Sequence, residues 1–551
     1  MLPLLLAQLI APPLQPGPVR LPAPVPQLRP VPAPEPAGEP SEPVPRTIPS
    51  PGAFPLPLVE GLSRYPASDL EQLLAPCGAI ADPNERLNTC AALLSSRLVA
   101  DGFVNSRVFS QPDPPPTGTL LVVEGRLVEV RVRSRDPALQ RRLLRLVLPL
   151  QGQVLHLPSL EQTIQRLQLL PGIGGVSASL NRLGGDSTRG SLVLEAEPAP
   201  RRLSGELSLR NDGSSSNGQF RGLAVLSRDS LLRSADRVLL VGELNADDDN
   251  ELGYRQLSLS YSLPLLEGLT VTTAAAASWR QLVEVPAPLH NLTFQQQQLL
   301  GQFDLTLHEG LHQRLSAFTG LSANRNEAWL NGARFPGIVG GAEDGALSTG
   351  YLRAGLNWEA WPGPVALNGS LYGLQGLAGF SGNRALDELA FFGIKAGEAR
   401  ALAGDLSLQW APAPRWQLLL RGAGQVAFAP LTSAMGFTLG SDNGLRGLPG
   451  QAISGDSGLL GYGELSWTFW RHRNQDWQLV PFLGTGWVTT TLQGVSDDGS
   501  LGAGGVLLRW LQGRHWQVEL GWASQFGDGL PADIPNLLLD NGFYSKVSYR
   551  F

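Results

Sequence analysis

From residue 203 to the C-terminus, apolar and polar positions alternate. In QLSLSYSL (256–263), Leu257, Leu259, Tyr261 and Leu263 fall on one face, and Gln256, Ser258, Ser260 and Ser262 fall on the other. This is the period of a strand with one greasy and one wet side. The pattern recurs in QFDLTL (302–307), DLSLQW (405–410), ELSWTF (464–469) and QVELGW (517–522), and sixteen such segments lie between 203 and 551. Their connectors alternate as well. LLEG, HEGLHQ, WPGPV and APAP are short, whereas 326–346, 377–399 and 428–457 are long. Short turns at one end, long loops at the other and an even strand count predict a transmembrane β-barrel of 16 antiparallel strands over 201–551. A β-sandwich would share the alternation but not the loop asymmetry. The last strand, FYSKVSYRF, sets Phe543, Val547, Tyr549 and Phe551 on the lipid face and Lys546, Ser548 and Arg550 on the lumen face.

Upstream, the pattern predicts two small α+β units of one plan, over 56–125 and 126–200. In the first, PLPLVEG reads as a strand, followed by a helix with a capping box of Ser68 and Glu71. A second helix opens at Asp82 with Pro83 in its first turn, and strands follow at 103–110 and 119–125. The second unit repeats the order. RLVEVRVRS is a strand, Asp136 and Pro137 open a helix, Ser159 and Gln162 cap another, and GVSASLNR and GSLVLEAEP are strands.

Composition adds limits. Sixteen of the 45 prolines fall in the first fifty residues, so 20–55 reads as an extended Pro-rich linker. Residues 1–19, opening MLPLLLAQLI, read as the remnant of an export signal. No run of eighteen apolar residues occurs, which leaves strands as the only means of spanning a membrane. The net charge of -6 is unclustered and excludes the basic stripe of a nucleic-acid binder. The only cysteines, Cys77 and Cys90, are either a disulfide in an exported chain or two buried thiols.

The order of elements, together with GFVNSRV at 102–108 and LQLLPGIGGVSASL at 167–180, resembles the POTRA pair of two-partner secretion transporters, the ShlB/FhaC/HecB-type (TpsB) haemolysin secretion and activation family. LRGLPG at 445–450 is similar to the VRGY-type motif of the POTRA-plus-barrel superfamily, and SGDSG at 454–458 to the segment that follows it. The resemblance implies an outer-membrane translocator with periplasmic POTRA domains. These would capture an unfolded, TpsA-like exoprotein along exposed sheet edges, for which the candidates are Phe103, Val104, Ser106 and Val108 in one module and Val176, Ala178 and Leu180 in the other. It further implies that the sixth long loop, 428–457, folds into the lumen. Its motif residues are Leu445, Arg446, Gly447, Leu448, Gly455 and Asp456, with Arg446 paired to a carboxylate on the wall. The family's usual wall Asp is absent, since VPFLGTG has Gly484 at that place; either Arg446 finds another carboxylate, for which Glu464 and Glu519 are the lumen-facing candidates by alternation, or the lock is weaker. Tyr549 and Phe551 resemble the signal read by the barrel-assembly machinery. Residues 8–55 hold no stretch long enough between prolines for a plug helix, which leaves the sixth loop as the main occlusion.

No phosphate cradle, metal set or catalytic constellation is legible, so no enzyme, cofactor or metal is expected. His308 and His312 have helical ligand spacing but fall in an expected turn, and GAGG at 502–505 lies within a strand. The alternatives to secretion are a barrel insertase of the same superfamily and a passive porin.

Overall fold

The computed structural model of the chain describes residues 54–551 apart from 116, 170–172, 199–202, 215, 233–235, 284–288, 311, 337–344, 363, 451, 493–494 and 529–537. The expectations for 1–19, for nearly all of 20–55 and for the absence of a plug helix lie outside the described residues. The chain divides into two compact units at Pro200/Arg201.

The N-terminal unit holds two modules. The first comprises β1 (Leu58–Glu60), α1 (Ala67–Leu74), α2 (Pro83–Ala100), β2 (Arg107–Gln111) and β3 (Thr119–Val123). The second comprises β4 (Arg126–Ser134), α3 (Pro137–Val147), α4 (Leu157–Leu169), β5 (Ile173–Leu183) and β6 (Asp186–Pro198). Their sheets have the same plan, β1-β3-β2 and β4-β6-β5, with the first pair parallel and the second antiparallel. Asp82 and Asp136 cap α2 and α3 by accepting from the backbone N–H groups two and three residues on. Each helix then turns an apolar stripe to its sheet; in α3 it is Leu139, Leu143, Leu146 and Val147. Cys77 and Cys90 are joined by a disulfide, Cα–Cα 5.6 Å, inside the core made by Leu74, Leu87, Leu94, Leu98, Leu120 and Val122.

Two helix starts differ from expectation. Helix α1 begins at Ala67 after Pro66, so Ser68 lies inside the helix with its hydroxyl on Asp69, and no capping box forms. Helix α4 begins two residues before Ser159. Its first turn is placed by the other module, through Leu157 N–H donating to Gly102 O (3.0 Å), and the Ser159 hydroxyl instead meets His156 Nδ1 at 2.7 Å.

The barrel closes with sixteen antiparallel strands, each paired to its neighbours in sequence. The first eight are β7 (Leu203–Arg210), β8 (Phe220–Asp229), β9 (Arg237–Ala246), β10 (Leu252–Leu266), β11 (Leu269–Leu282), β12 (Leu289–Glu309), β13 (Gln313–Leu330) and β15 (Ala346–Ala360), with β14 (Ala333–Arg334) a two-residue return on β13. The rest are β16 (Val365–Leu377), β17 (Arg400–Ala413), β18 (Trp416–Ala427), β21 (Ser457–His472), β22 (Gln475–Leu492), β23 (Val495–Gln512), β24 (Trp516–Phe526) and β25 (Phe543–Arg550). The short pair β19 (Phe437–Leu439) and β20 (Ile453–Gly455) lies within the sixth loop. Closure runs from Arg550↔Glu206 to Lys546↔Arg210 and removes every open edge, which hydrocarbon would not tolerate.

Leucines such as Leu257, Leu259, Leu299, Leu356 and Leu483 are exposed on the outer face, as lipid contact requires. Aromatic side chains ring the short-turn end: Trp416 stacks on Trp467 at 5.7 Å, and Trp516 meets Tyr549 at 4.8 Å. Tyr549 and Phe551 stand in that belt. His308 belongs to β12 rather than to the turn, paired with Leu315 across a register shift.

Candidate functional site

The sixth loop enters the lumen. Its stem is the β19–β20 hairpin; Leu439 at the end of β19 and Leu445 and Leu448 beyond it are fully buried against Leu460, Tyr462, Val480, Phe482, Leu501, Ala503 and Ala523 of the wall. Burying three leucines on an apolar half-wall holds the loop by the same transfer free energy that builds a core. Gly447 lies close against the wall. Its φ is +85°, and a Cβ there would stand 2.9 Å from Ala523 Cβ and 3.0 Å from Ala503 Cβ, so only glycine fits. Gly484 has a second consequence. A Cβ at that position would meet Leu445 Cδ2 and Tyr462 Cδ2, each at 2.9 Å, so the place where the resembled family carries its Asp is filled here by the Leu445 side chain.

Arg446 is pinned by four side chains. Its guanidinium donates to Glu519 Oε2, to Glu464 Oε2 (3.3 Å), to Tyr462 OH (3.1 Å) and to Tyr544 OH (3.3 Å), and it also lies over the Tyr544 ring. Both carboxylates are shared with Arg509, which donates to Glu519 Oε1 (2.6 Å) and Glu464 Oε1 (2.9 Å). Two guanidinium groups and two carboxylates thus form a closed, neutral square. Each charge-assisted bond is stronger for being out of bulk water, and each would be expensive to leave single. The wall residues follow from alternation: Glu464 on β21, Arg509 on β23 and Glu519 on β24 all face inward.

The opposite wall holds the loop too, by residues that the motif did not indicate. Arg221 of β8 donates to Asp442 Oδ1 at 2.7 Å, and Ser441 Oγ accepts from Arg210 (3.2 Å) and Arg221 (3.4 Å). Gly450 N–H donates to Asp212 O at 2.9 Å. On that wall Arg210 already pairs with Asp212, and Arg221 with Glu243, so the wall is balanced before Asp442 arrives. The loop carries one cation to a wall that lacks one and one anion to a wall that is already neutral.

Asp456 closes the loop's base. Its carboxylate accepts from Leu431 N–H (3.1 Å) and Thr491 N–H (3.0 Å), tying the two ends of the loop to the rim of β22. Gly455 lies at the end of β20, where a Cβ would meet Thr489 O at 2.7 Å.

The sixth loop, expected from sequence to be the main occlusion, is joined by a second inward element. The fifth long loop contains α5 (Asn383–Phe391), whose Ala385 and Leu389 pack with Ile394 and Ala396 against the inward-facing Leu282, Leu292, Phe294, Ala328 and Leu347 at the long-loop end. The apolar spacing in NRALDELAF was the available signal.

In the N-terminal unit each sheet has two edge strands, β1 and β2 in the first module and β4 and β5 in the second; β2 lies beside α2 and β5 beside α4. The candidate edge residues divide. Phe103, Val104 and Ser106 precede β2 in a turn: Phe103 packs on the core, and Ser106 Oγ accepts from Gly125 N–H at 3.0 Å, which holds the link to the second module. Only Val108 of that set is on the edge strand, where the most exposed apolar side chain is Phe109 (51%), not singled out from sequence. On β5, Val176 is buried and its carbonyl accepts from Gln168 at 2.8 Å, while Ala178 and Leu180 are exposed.

Comparison with known proteins agrees with this architecture. The family described as "Haemolysin secretion/activation protein ShlB/FhaC/HecB" matches residues 190–507. "Outer membrane transporter CdiB" of Escherichia coli strain 536 is 23% identical over 516 residues, spanning 90% of this chain and 82% of that protein. The CdiB of Dickeya dadantii is 22% identical over 479 residues, 82% of this chain and 78% of that one. Among solved structures, CdiB from Escherichia coli superposes with a TM-score of 0.58 at 20% identity, covering 91% of each chain. CdiB from Acinetobacter baumannii gives 0.52 at 16%, covering 91% of this chain and 89% of the other.

Proposed function

The chain belongs to the haemolysin secretion/activation family ShlB/FhaC/HecB, and from that premise we propose that it is the outer-membrane transporter of a two-partner secretion pair. Its two N-terminal modules, in the periplasm, take up an unfolded exoprotein by strand addition at the edges of β2 and β5, where backbone hydrogen bonds accept an extended chain of any sequence. The exoprotein then passes through the barrel as an extended chain. The observation that carries this reading is a sixteen-strand barrel whose lumen is filled by a loop held through polar pairs on two walls. A passive porin has no use for such a removable obstruction.

The sequence carries no GxxxxGK(S/T) phosphate cradle, and folding of the client outside the cell prevents its return and gives direction. The barrel contacts outer-membrane lipid through its leucine face and aromatic belt, and the C-terminal strand bearing Tyr549 and Phe551 is read by the barrel-assembly machinery. The chain performs no enzymatic step and needs no cofactor or metal.

The test is quantitative proteomics of culture medium and outer membrane with and without this gene. Loss of one or a few large β-rich exoproteins from the medium, with other barrels unchanged, is the expected result. A general fall in outer-membrane barrels without a selective loss from the medium would replace secretion by barrel insertion.

A further inference from the structure

Between the sixth loop and the lumen wall lies a cavity of about 250 Å³, bordered by Ser441, Gly444 and Arg446 of the loop and by inward residues of β7, β17, β18, β21 and β23–β25. Its volume corresponds to roughly eight waters. Nearly every polar side chain around it is engaged. Arg446 and Arg509 share Glu464, Arg550 and Lys546 share Glu206, Arg210 holds Asp212, Ser466 accepts from Arg509, and Gln517 donates to Glu519. Three are not: Gln409 of β17 and Gln417 and Arg421 of β18 line the cavity without a hydrogen bond or ion pair among the described residues. All three sit on one arc. Gln409 is only 5% exposed, and its amide is not one of the sealed, unpaired polar atoms of the described residues, so the exposure it has is toward the cavity, where it is available to a ligand.

We propose that this β17–β18 arc is the track on which the exoprotein travels, an inference that rests on the secretion reading above. The loop-side wall cannot serve, since its charges are closed into pairs and its apolar residues are covered by Leu439, Leu445 and Leu448. The chemistry of the free arc fits an extended polypeptide. A glutamine amide offers a donor and an acceptor together, the complement of a peptide group, and so binds backbone without regard to sequence. Arg421 has donors only and adds a grip on carbonyl or carboxylate oxygen. A translocating chain needs such contacts because its own peptide groups, confined with little water, would otherwise go unpaired. The contacts are few, two neutral amides and one guanidinium, so they hold the chain without trapping it.

The experiment uses the full chain in its own outer membrane, with a benzophenone side chain introduced at 409 or 417 and, as controls, at the inward-facing Ser258 (β10) or Thr272 (β11). The probe is the exoprotein that disappears from the medium when the gene is deleted. Irradiation during secretion is expected to yield at least about fivefold more exoprotein adduct from 409 and 417 than from the controls, the weight of the one neutral hydrogen bond that the glutamine left in place still supplies. The double variant Gln409→Ala/Gln417→Ala is expected to release the exoprotein roughly fivefold more slowly on the same ground, with unchanged barrel assembly and bilayer current. Equal adducts around the lumen, more at 258 or 272, or an Ala variant with undiminished secretion would overturn the track while leaving the secretion function standing. A medium unchanged by gene deletion would remove both.

Discussion

The charge square around Arg446 makes a sharp prediction. In Arg446→Met, Glu464 and Glu519 keep Arg509 as their one hydrogen-bonded cation, with Lys546 only the cross-strand neighbour of Glu519, and most of one buried negative charge is left uncompensated. Breaking a buried pair by removing one partner destabilises by about 3–5 kcal/mol. The Glu519 side chain is fully buried, but that of Arg446 is 20% exposed to a lumen that water can enter, so the lower figure applies. About 3 kcal/mol shifts the docked-to-undocked equilibrium of the loop by roughly 100-fold. Glu519→Gln alone leaves the opposite imbalance and is expected to act on a similar scale. The double variant returns to one guanidinium and one carboxylate, Arg509 with Glu464 at 2.9 Å. It should therefore recover about 2 kcal/mol of the summed loss, within the range measured for coupled pairs. The assay is the open-to-closed ratio of single channels of the purified protein in planar bilayers, combined as a double-mutant cycle. If the two effects add to within about 0.5 kcal/mol, the sites are independent and the reasoning from shared charge is refuted. Asp442→Asn provides an internal contrast. The wall it leaves holds Arg210, Arg221, Asp212 and Glu243 in balance, so its effect on the same ratio should be at least about tenfold smaller than that of Arg446→Met.

Gly484→Asp supplies the carboxylate that the related pattern carries, yet it should raise the open fraction rather than lower it, because its Cβ displaces Leu445 and Tyr462; a lower open fraction would show that the carboxylate outweighs the packing. Gly447→Ala combines a left-handed backbone with two contacts at 3.0 Å or less, and protease cleavage within 428–457 should increase by at least about fivefold, reflecting roughly 1 kcal/mol or more. Burial and the hydrogen bond to Asp101 push the Tyr65 hydroxyl up to about 12. A raised folded value means that its contribution to stability is complete below pH 10 and is lost as pH rises through about 12. Tyr65 is the only Tyr in 54–200, which has no Trp, so ultraviolet titration of that fragment reads it alone, and a midpoint near 10 would contradict the contact. Cys77→Ser/Cys90→Ser should lower the unfolding free energy of the N-terminal unit by about 3 kcal/mol on a chain-entropy basis, measured by urea denaturation with and without reductant.

Much of this protein is local, and the local part is legible in its sequence. Alternation of period two decides which face of each strand meets lipid, and that decision places Glu464, Arg509 and Glu519 in the lumen without reference to any distant residue. Asp82 and Asp136 announce helix starts because a cap bonds only two or three residues away. Where contacts are remote, the chain alone misleads. Ser159 has the composition of a cap, but the start of its helix is set by Gly102 of the other module, and Phe103, Val104 and Ser106 lie in a stretch that reads as a strand while forming a turn that the link between modules requires. The same limit governs the lumen. A loop arginine and two inward glutamates can be named from sequence, but nothing short-range tells Arg221 that Asp442 will arrive from across the barrel, or tells Gly484 that Leu445 will fill its place. Those pairings exist only because closure brings β8 and β22 to opposite sides of one narrow space, where an unpaired charge or an empty volume is costly and a single loop can satisfy both walls.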